Sequence, residues 1–317
     1  MRRWPFGLAA WLLILAGAEL IAFVLVWRFF VRSEHGQLLD TLALSGNRVG
    51  QARVGGAVDT VLNALSAVSL MVATAVVGFI ALMRRRIAVA FGAIVLIVGS
   101  NVTTQVLKQV IYRPDLGIDP ERAAAGNSLP SGHTTIAASV AVAFLLVLPG
   151  IYRGVGAVLG ALVTAVAGVA TLSAGWHRPS DAVAALLVVG AWAGAASLFI
   201  LVAQRSHGAV DYDRSNRYAV VALVVAGLAL LAGAWVAVQL TDQVLSTPPD
   251  ELGRRRLFAA YAGGAMGISG TAAWVMASVL ATVHRVVPRV VSSPGARRRR
   301  PPPLRTRRAA TPANSPR

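Results

Sequence analysis

Eight long apolar runs constrain the fold of this chain more than any other feature. They cover residues 4–30, 57–83, 87–107, 134–151, 154–176, 182–203, 218–240 and 257–283. Each is near or above the roughly 20 residues that a helix needs to cross a bilayer, whereas strands of a membrane barrel are about half as long. Hydrophobic residues make up 56% of the 317 residues and charged residues only 14%. We therefore predict an all-α, polytopic membrane helical bundle with about eight transmembrane helices.

The first apolar run resembles a secretory signal, because two arginines precede it. It continues to Trp27, which is too long for the apolar part of a signal peptide, so we expect an uncleaved anchor. Glu19 lies inside this run. A carboxylate at membrane depth normally faces the bundle interior or a partner, and here we expect a structural or interfacial role.

The arginines predict the orientation of the bundle. With cytoplasmic termini, 19 of the 30 basic residues lie inside, including Arg84 to Arg86 between two spans and ten residues from Arg285 to Arg317. Cytoplasmic loops carry such an excess in multi-pass proteins of the cell membrane. We therefore expect the loops after the third and fifth spans to be extracytoplasmic.

The end of the chain, residues 285–317, is rich in Arg and Pro and has few large apolar residues, so we predict a disordered basic cytoplasmic tail. Such a tail either binds anionic lipids of the inner leaflet or serves only to set the topology. Nucleic-acid binding is disfavoured despite the net charge of +17, because the charge is spread over loops and tail. The chain has no cysteine, which excludes disulfides and thiol chemistry. The oligomeric state is left open.

Lys108 is the only lysine beside 29 arginines, and it is followed by Arg113 and Pro114. A lysine at the end of a membrane helix can be a snorkelling side chain, but this one precedes two further polar motifs. The first is Pro130-Ser131-Gly132-His133, just before a span. Ser131 is a natural N-cap, and the free N–H groups of the following turn form an anion site. A simple helix cap is the alternative interpretation.

The second motif is His177-Arg178-Pro179-Ser180-Asp181 at the start of the sixth span. A carboxylate four residues after a histidine can accept from imidazole Nδ1–H, which leaves Nε2 as a nucleophile or base. The alternative is an aspartate that only interacts with the helix dipole. Between His133 and His177 lie 43 residues, enough for one helix down and one back. Both histidines therefore return to the same membrane face as Lys108 and Arg113.

Together these segments resemble the signature of the type 2 phosphatidic acid phosphatase superfamily, the membrane lipid phosphatases related to vanadium haloperoxidases. That pattern is a Lys…Arg-Pro segment, then Pro-Ser-Gly-His, then Ser-Arg…His…Asp, on a six-helix core. The resemblance covers roughly residues 57 to 203, with an intact middle motif.

The resemblance implies a role for each matching residue. His177 would be the nucleophile that forms a phosphohistidine, Asp181 would orient it, and His133 would protonate the leaving oxygen. The phosphoryl oxygens would be held by Lys108, Arg113, Ser131 and the Gly132 N–H.

Two departures from the family pattern concern the phosphate-binding cations. Four residues instead of six separate Lys108 from Arg113, and Asp115 stands where a second arginine is usual. Ala170 and Thr171 replace the Ser-Arg of the third motif. Arg178, or Arg122 from the preceding loop, is a candidate for the missing guanidinium.

The predicted function is hydrolysis of a lipid phosphate or an isoprenoid diphosphate at the extracytoplasmic face. No Asp, Glu and His cluster with ligand spacing occurs on that side, so we expect neither metal nor cofactor. The predicted domains are a six-span phosphatase-like core (1–203), two additional spans (204–284) and the tail (285–317). The competing hypothesis is a non-catalytic lipid-phosphate-binding protein or a transporter with a degenerate site, although we find no repeat of the kind that transporters show.

Overall fold

The computed structural model describes residues 6–49, 51–64, 67–83, 85–119, 126–203, 214–247 and 251–287. Over these ranges the chain forms α-helices and short helical turns without a β-strand, which confirms the all-α bundle. Arg122 and the tail from residue 288 onward, which we predicted to be disordered and basic, lie outside the described residues.

A helix coincides with every predicted apolar run. The helices are α1 (Phe6–Val26, continued by a π-helical turn over Trp27–Val31), α2 (Glu34–Ser45), α3 (Gln51–Ala64), α4 (Ala67–Met83), α5 (Ile87–Val110), α6 (Gly132–Val147), α7 (Arg153–Ser173), α8 (Pro179–Ala203), α9 (Arg214–Asp242) and α10 (Arg254–Val286).

Six helical segments of the described chain are long and apolar enough to cross a membrane. They are Phe6–Val31, Ile87–Val110, Gly150–Ser173, Pro179–Ala203, Asn216–Asp242 and Arg254–Val286. The pair Gly55–Ala64 and Ser69–Met83, bent by 53°, adds a seventh if it is counted as one span. The predicted span at 134–151 corresponds to α6, which has 16 residues and ends before Pro149. A helix of that length is about 24 Å long, shorter than the hydrocarbon core.

The centre of the bundle is formed by α5, α6, α7 and α8, and α10 packs against α7 and α8. Small residues let these helices approach closely: the methyl of Ala182 lies beside Gly168, and Ile268 of α10 fills the space on the same glycine. In α10, Met276 and Leu280 are fully buried. The last span is therefore part of the same core as the helices that carry the motifs.

Helix α1 lies along α8 at the edge of this core. Ala16 packs on Gly194, and Glu19 packs on Gly190 so closely that an added Cβ would meet its Cδ at 2.9 Å. Glu19 is thus buried against a neighbouring helix, as expected for a carboxylate at membrane depth.

Helix α2 was not predicted from the sequence. Ser33 caps it, its side chain accepting from the Gly36 N–H at 3.1 Å. The helix buries one face, including Leu39 and Leu42, and packs against α10 and the start of α8. It therefore lies at the end of the bundle where α5 ends and α6 and α8 begin.

Candidate functional site

The residues predicted from the three motifs lie at one end of the bundle. Lys108 is in the last turn of α5, Ser131 to His133 begin α6, and His177 to Asp181 lead into α8. A backbone hydrogen bond from the Ser131 N–H to the Asp181 carbonyl, 2.9 Å long, joins the starts of α6 and α8. Two motifs that are far apart in sequence are thereby held side by side.

The end of α7 turns the chain toward the site through Gly175. Its N–H donates to the Leu172 carbonyl, and the Trp176 N–H donates to that of Thr171. This is the glycine-terminated pattern common at helix C-termini, and the φ of Gly175, +74°, is one that L-residues rarely adopt. The His177 N–H also reaches the Thr171 carbonyl, at 3.2 Å, so the turn sets the start of the third motif.

His177 and Asp181 form the predicted pair. His177 Nδ1 lies 3.2 Å from Asp181 Oδ2, and the carboxylate is fully buried. The same oxygen accepts from the Ser128 hydroxyl at 2.6 Å and from the Arg178 backbone N–H at 3.1 Å. Because a carboxylate only accepts, the imidazole is oriented with Nδ1 as its donor. Its Nε2 has no hydrogen-bond partner among the described residues.

Arg113 lies next to this carboxylate. Its Nη2 is 3.6 Å from Asp181 Oδ1, and its Nη1 donates to the Phe30 carbonyl at 3.4 Å. The residue is only 6% exposed, yet Nε and Nη2 have no hydrogen-bond acceptor within the described chain. Buried guanidinium donors without acceptors are costly, so Arg113 is suited to an anionic ligand that supplies them.

Arg178 is the second buried guanidinium of the site. It is 4% exposed, and its Nη2 donates to Asp119 Oδ2 at 3.2 Å. Its Nε has no acceptor among the described residues. Thr171, which stands in place of the family's arginine, is buried at the end of α7 and bonds its hydroxyl to the Gly168 carbonyl. A guanidinium is therefore present near the site although the usual position lacks one.

The N-terminus of α6 forms another side of the site. Ser131 is the N-cap, as predicted, and its hydroxyl accepts from the Thr134 hydroxyl at 3.0 Å and from its N–H at 3.5 Å. Lys108 Nζ approaches this turn to 3.8 Å from the position that a Cβ on Gly132 would take. The lysine thus stands beside helix N–H groups that are free to bind an anion.

His133 lies on the first turn of α6, partly exposed, with its ring 5.4 Å from that of Trp176. It is near enough to His177 and Lys108 for their charges to interact. Both predicted histidines thus belong to one cluster with the predicted cations.

Sequence reasoning missed three site residues. Ser128 bonds Asp181, Asp119 bonds Arg178, and Asp40 of α2 bonds both the N–H and the hydroxyl of Ser180, at 3.1 and 2.5 Å. No local pattern pairs residue 40 with residue 180. Burial raises the pKa of Asp40 to about 6 against the opposing charge of Arg113, and the nearby Asp181 also raises it.

Among the residues that the structure describes, no three His, Asp or Glu side chains are grouped as metal ligands. Two imidazoles, three cations and a helix N-terminus converge there, and the carboxylates of the site are bonded to protein donors. This arrangement suits an oxyanion with several charges, as a phosphoryl group is.

Comparison with known proteins agrees with this chemistry. Residues 88–207 match the family model described as PAP2 superfamily. The match supports membership of the type 2 phosphatidic acid phosphatase superfamily, as the motifs predicted, and at a coarse level it supports a phosphatase-type membrane protein. Comparisons with curated proteins and with solved structures found no significant match.

Proposed function

We propose that this protein hydrolyses a lipid phosphate or isoprenoid diphosphate through a phosphohistidine on His177. The observation that carries this proposal is the oriented imidazole beside unpaired cationic donors. His177 Nδ1 is held by Asp181, while the Nε atoms of Arg113 and Arg178 are buried without acceptors in the described chain. A phosphoryl group placed there would satisfy these donors and face the nucleophile.

In the proposed first step, His177 Nε2 attacks phosphorus, a P–N bond forms and the bond to the leaving oxygen breaks. His133, as its imidazolium, gives its proton to that oxygen. Asp181 stabilises the positive charge that develops on the His177 ring through the Nδ1–H, which is 3.2 Å from its Oδ2.

In the second step, neutral His133 accepts a proton from water as the water oxygen attacks phosphorus. The P–N bond breaks, inorganic phosphate leaves and His177 returns to its starting form. The two steps need positive charge around the equatorial oxygens, for which Arg113, Arg178 and Lys108 are the available cations. We assign Arg178 the role of the arginine that Thr171 replaces.

A lipid substrate is favoured by a large apolar cavity whose lining reaches the end of α7. Its volume is about 750 Å³, and it lies between α3, α7, α9 and α10. Ala170 and Ser173 line it, and both flank the turn whose carbonyl at Thr171 accepts from His177. A hydrocarbon chain in this cavity would lie against the end of α7, the helix that leads into the third motif.

We further propose that the site faces the extracytoplasmic side and works without a metal ion. At the opposite end Arg85 lies in the connection before α5 and Arg153 is the first residue of α7, as the positive-inside rule expects of the cytoplasmic side. The donor set supports metal independence, because cations and helix N–H groups are available to the phosphate oxygens.

The test is phosphate release by the purified protein from a panel of lipid phosphates, with and without a chelator. His177→Ala should abolish release, whereas His35→Ala, an exposed histidine that pairs with Asp242, should leave it unchanged. Equal loss in both variants, or full activity of His177→Ala, would contradict the mechanism.

A second candidate function is lipid-phosphate binding without turnover. It is favoured by one observation, the replacement of the third-motif arginine by Thr171. A protein of this kind would bind phosphate and vanadate at Arg113 but release no phosphate from any substrate. The same panel therefore separates the two candidates.

A further inference from the structure

Asp40 joins the site from outside the segment that matches the family model, which begins at residue 88. It lies on α2 and is 2% exposed. Oδ1 accepts from the Ser180 backbone N–H at 3.1 Å, and Oδ2 accepts from the Ser180 hydroxyl at 2.5 Å, across 140 residues of sequence. Ser180 is in the first turn of α8, one residue before Asp181.

The same helix is also attached to the first motif. Gln37, three residues before Asp40, donates through Nε2 to the Val31 carbonyl at 2.9 Å and to the Pro114 carbonyl at 3.1 Å. One short helix therefore holds the chain just after Arg113 and the turn that carries Asp181. These are the two parts of the site whose relative position decides how phosphate meets His177.

Asp40 is poorly explained as a contribution to stability. Its carboxylate is buried, and burial outweighs its favourable interactions with Arg113 and Arg178, so its pKa is raised to about 6. Ionising such a group at neutral pH costs free energy that an uncharged residue would not. The contact to Ser180 therefore points to a role in the site.

We propose that Asp40 is a positioning residue, which holds the first turn of α8 so that the His177–Asp181 pair meets a phosphoryl group bound at Arg113. This inference rests on the proposed phosphatase site. Asp40 acts through Ser180, because its hydrogen bonds go to that residue. Its negative charge also offsets part of the positive charge of Arg113 before an anion binds.

The positioning of α8 and the negative charge of Asp40 predict opposite changes in the binding affinities of two ligands of similar charge. Inorganic phosphate reports ground-state binding, whereas vanadate adopts the five-coordinate geometry of phosphoryl transfer and reports the position of His177. Asp40→Asn removes the charge, so phosphate should bind equally well or more tightly. It also weakens the hold on α8, so vanadate affinity and kcat should fall, by roughly 10- to 100-fold for a displacement of about 1 Å. A residue with a merely structural role would weaken both ligands alike.

The experiment compares phosphate and vanadate affinities, KM and kcat for the full chain and for Asp40→Asn. Glu34→Gln is the matched control, because Glu34 is an exposed carboxylate in the first turn of the same helix. Asp40→Asn values equal to those of Glu34→Gln, or equal losses for phosphate and vanadate, would overturn the proposal.

Ser180→Ala keeps the inference testable if Asp40→Asn does not fold. It removes the hydroxyl that donates to Asp40 but keeps the backbone N–H, so it should shift the vanadate-to-phosphate affinity ratio in the same direction by a smaller factor. An unchanged ratio in a folded Ser180→Ala would refute the role of the contact. Both affinities are measured without turnover. If the protein released no phosphate, the proposed function would be contradicted, while the vanadate-to-phosphate affinity ratio would still test the role of Asp40.

Discussion

The replacement of the third-motif arginine makes Arg178 the most informative residue to change. Arg178→Ala removes a guanidinium that is 4% exposed and whose Nε has no acceptor among the described residues. If this group holds a phosphoryl oxygen, its loss should resemble removal of one oxyanion donor, about 2–4 kcal/mol of transition-state stabilisation. That corresponds to a roughly 30- to 1,000-fold decrease in kcat and in kcat/KM together.

The free energy of unfolding is measured for each variant beside its activity, because Arg178 is also an ion-pair partner. The pair between Arg178 and Asp119 is mostly buried, with 5% of the Arg178 side chain and 23% of the Asp119 side chain accessible, and removal of one partner of a buried pair costs about 3–5 kcal/mol. Asp119→Asn is the matched control, because it disrupts the same ion pair and leaves the guanidinium in place. It should retain most of the activity.

The assay is steady-state phosphate release from one lipid phosphate by wild type, Arg178→Ala, Arg178→Lys and Asp119→Asn. Arg178→Lys should recover little activity, because an ammonium cannot reproduce the two-pronged geometry of a guanidinium. If Arg178→Ala and Asp119→Asn have the same kcat, Arg178 is only an ion-pair partner and the assignment is wrong.

Four further results are expected. His177→Ala should form no acid-labile phosphoenzyme, while His133→Ala should still form one from a substrate with an activated leaving group; the reverse pattern would exchange their roles. Vanadate should inhibit and EDTA should not, so activity lost to EDTA and restored by magnesium would refute metal independence. In this cysteine-free chain, Leu116→Cys should react with an impermeant reagent from outside and Ile151→Cys only after permeabilisation, unless the orientation is inverted. Burial raises the pKa of Asp40 from 3.8 to about 6, so the folded state loses stability relative to the unfolded state as pH rises from about 4 to about 6. The Tm of Asp40→Asn should therefore rise relative to wild type between about pH 4 and about pH 6 and keep a constant lead above that range, and a difference that does not change between about pH 4 and about pH 6 would contradict the shift.

Much of the fold was predictable because each membrane helix corresponds to a continuous apolar run in the sequence. A run of about 20 apolar residues requires a helix whatever its neighbours are, since backbone groups in lipid must bond within their own segment. The short α6 departs from this expectation, because Pro149 ends it after 16 residues and its burial inside the bundle removes the need to reach both interfaces. Helix α2 is polar on one face and has no long apolar run, so the sequence analysis missed it.

The candidate site also has features that were predictable from the sequence and features that were not. The His177–Asp181 pair was predictable, because His177 stands two residues before α8 and Asp181 lies in the first turn of that helix, so the two are close along the chain. The shared membrane face of His133 and His177 followed from the length of two helices. These conclusions depend on distances along the chain, which are set by the sequence.

Only the tertiary structure decided which distant groups meet. The contacts of Arg113 with Asp181, of Arg178 with Asp119 and of Asp40 with Ser180 span from 59 to 140 residues. Each depends on the packing of separate helices and on the path of a loop, which are determined by the summed burial of many side chains and by no pair alone. For that reason the sequence by itself determined which chemical groups the site contains. The packed bundle decided which partner each group bonds to and which guanidinium donors stay unpaired for a phosphate.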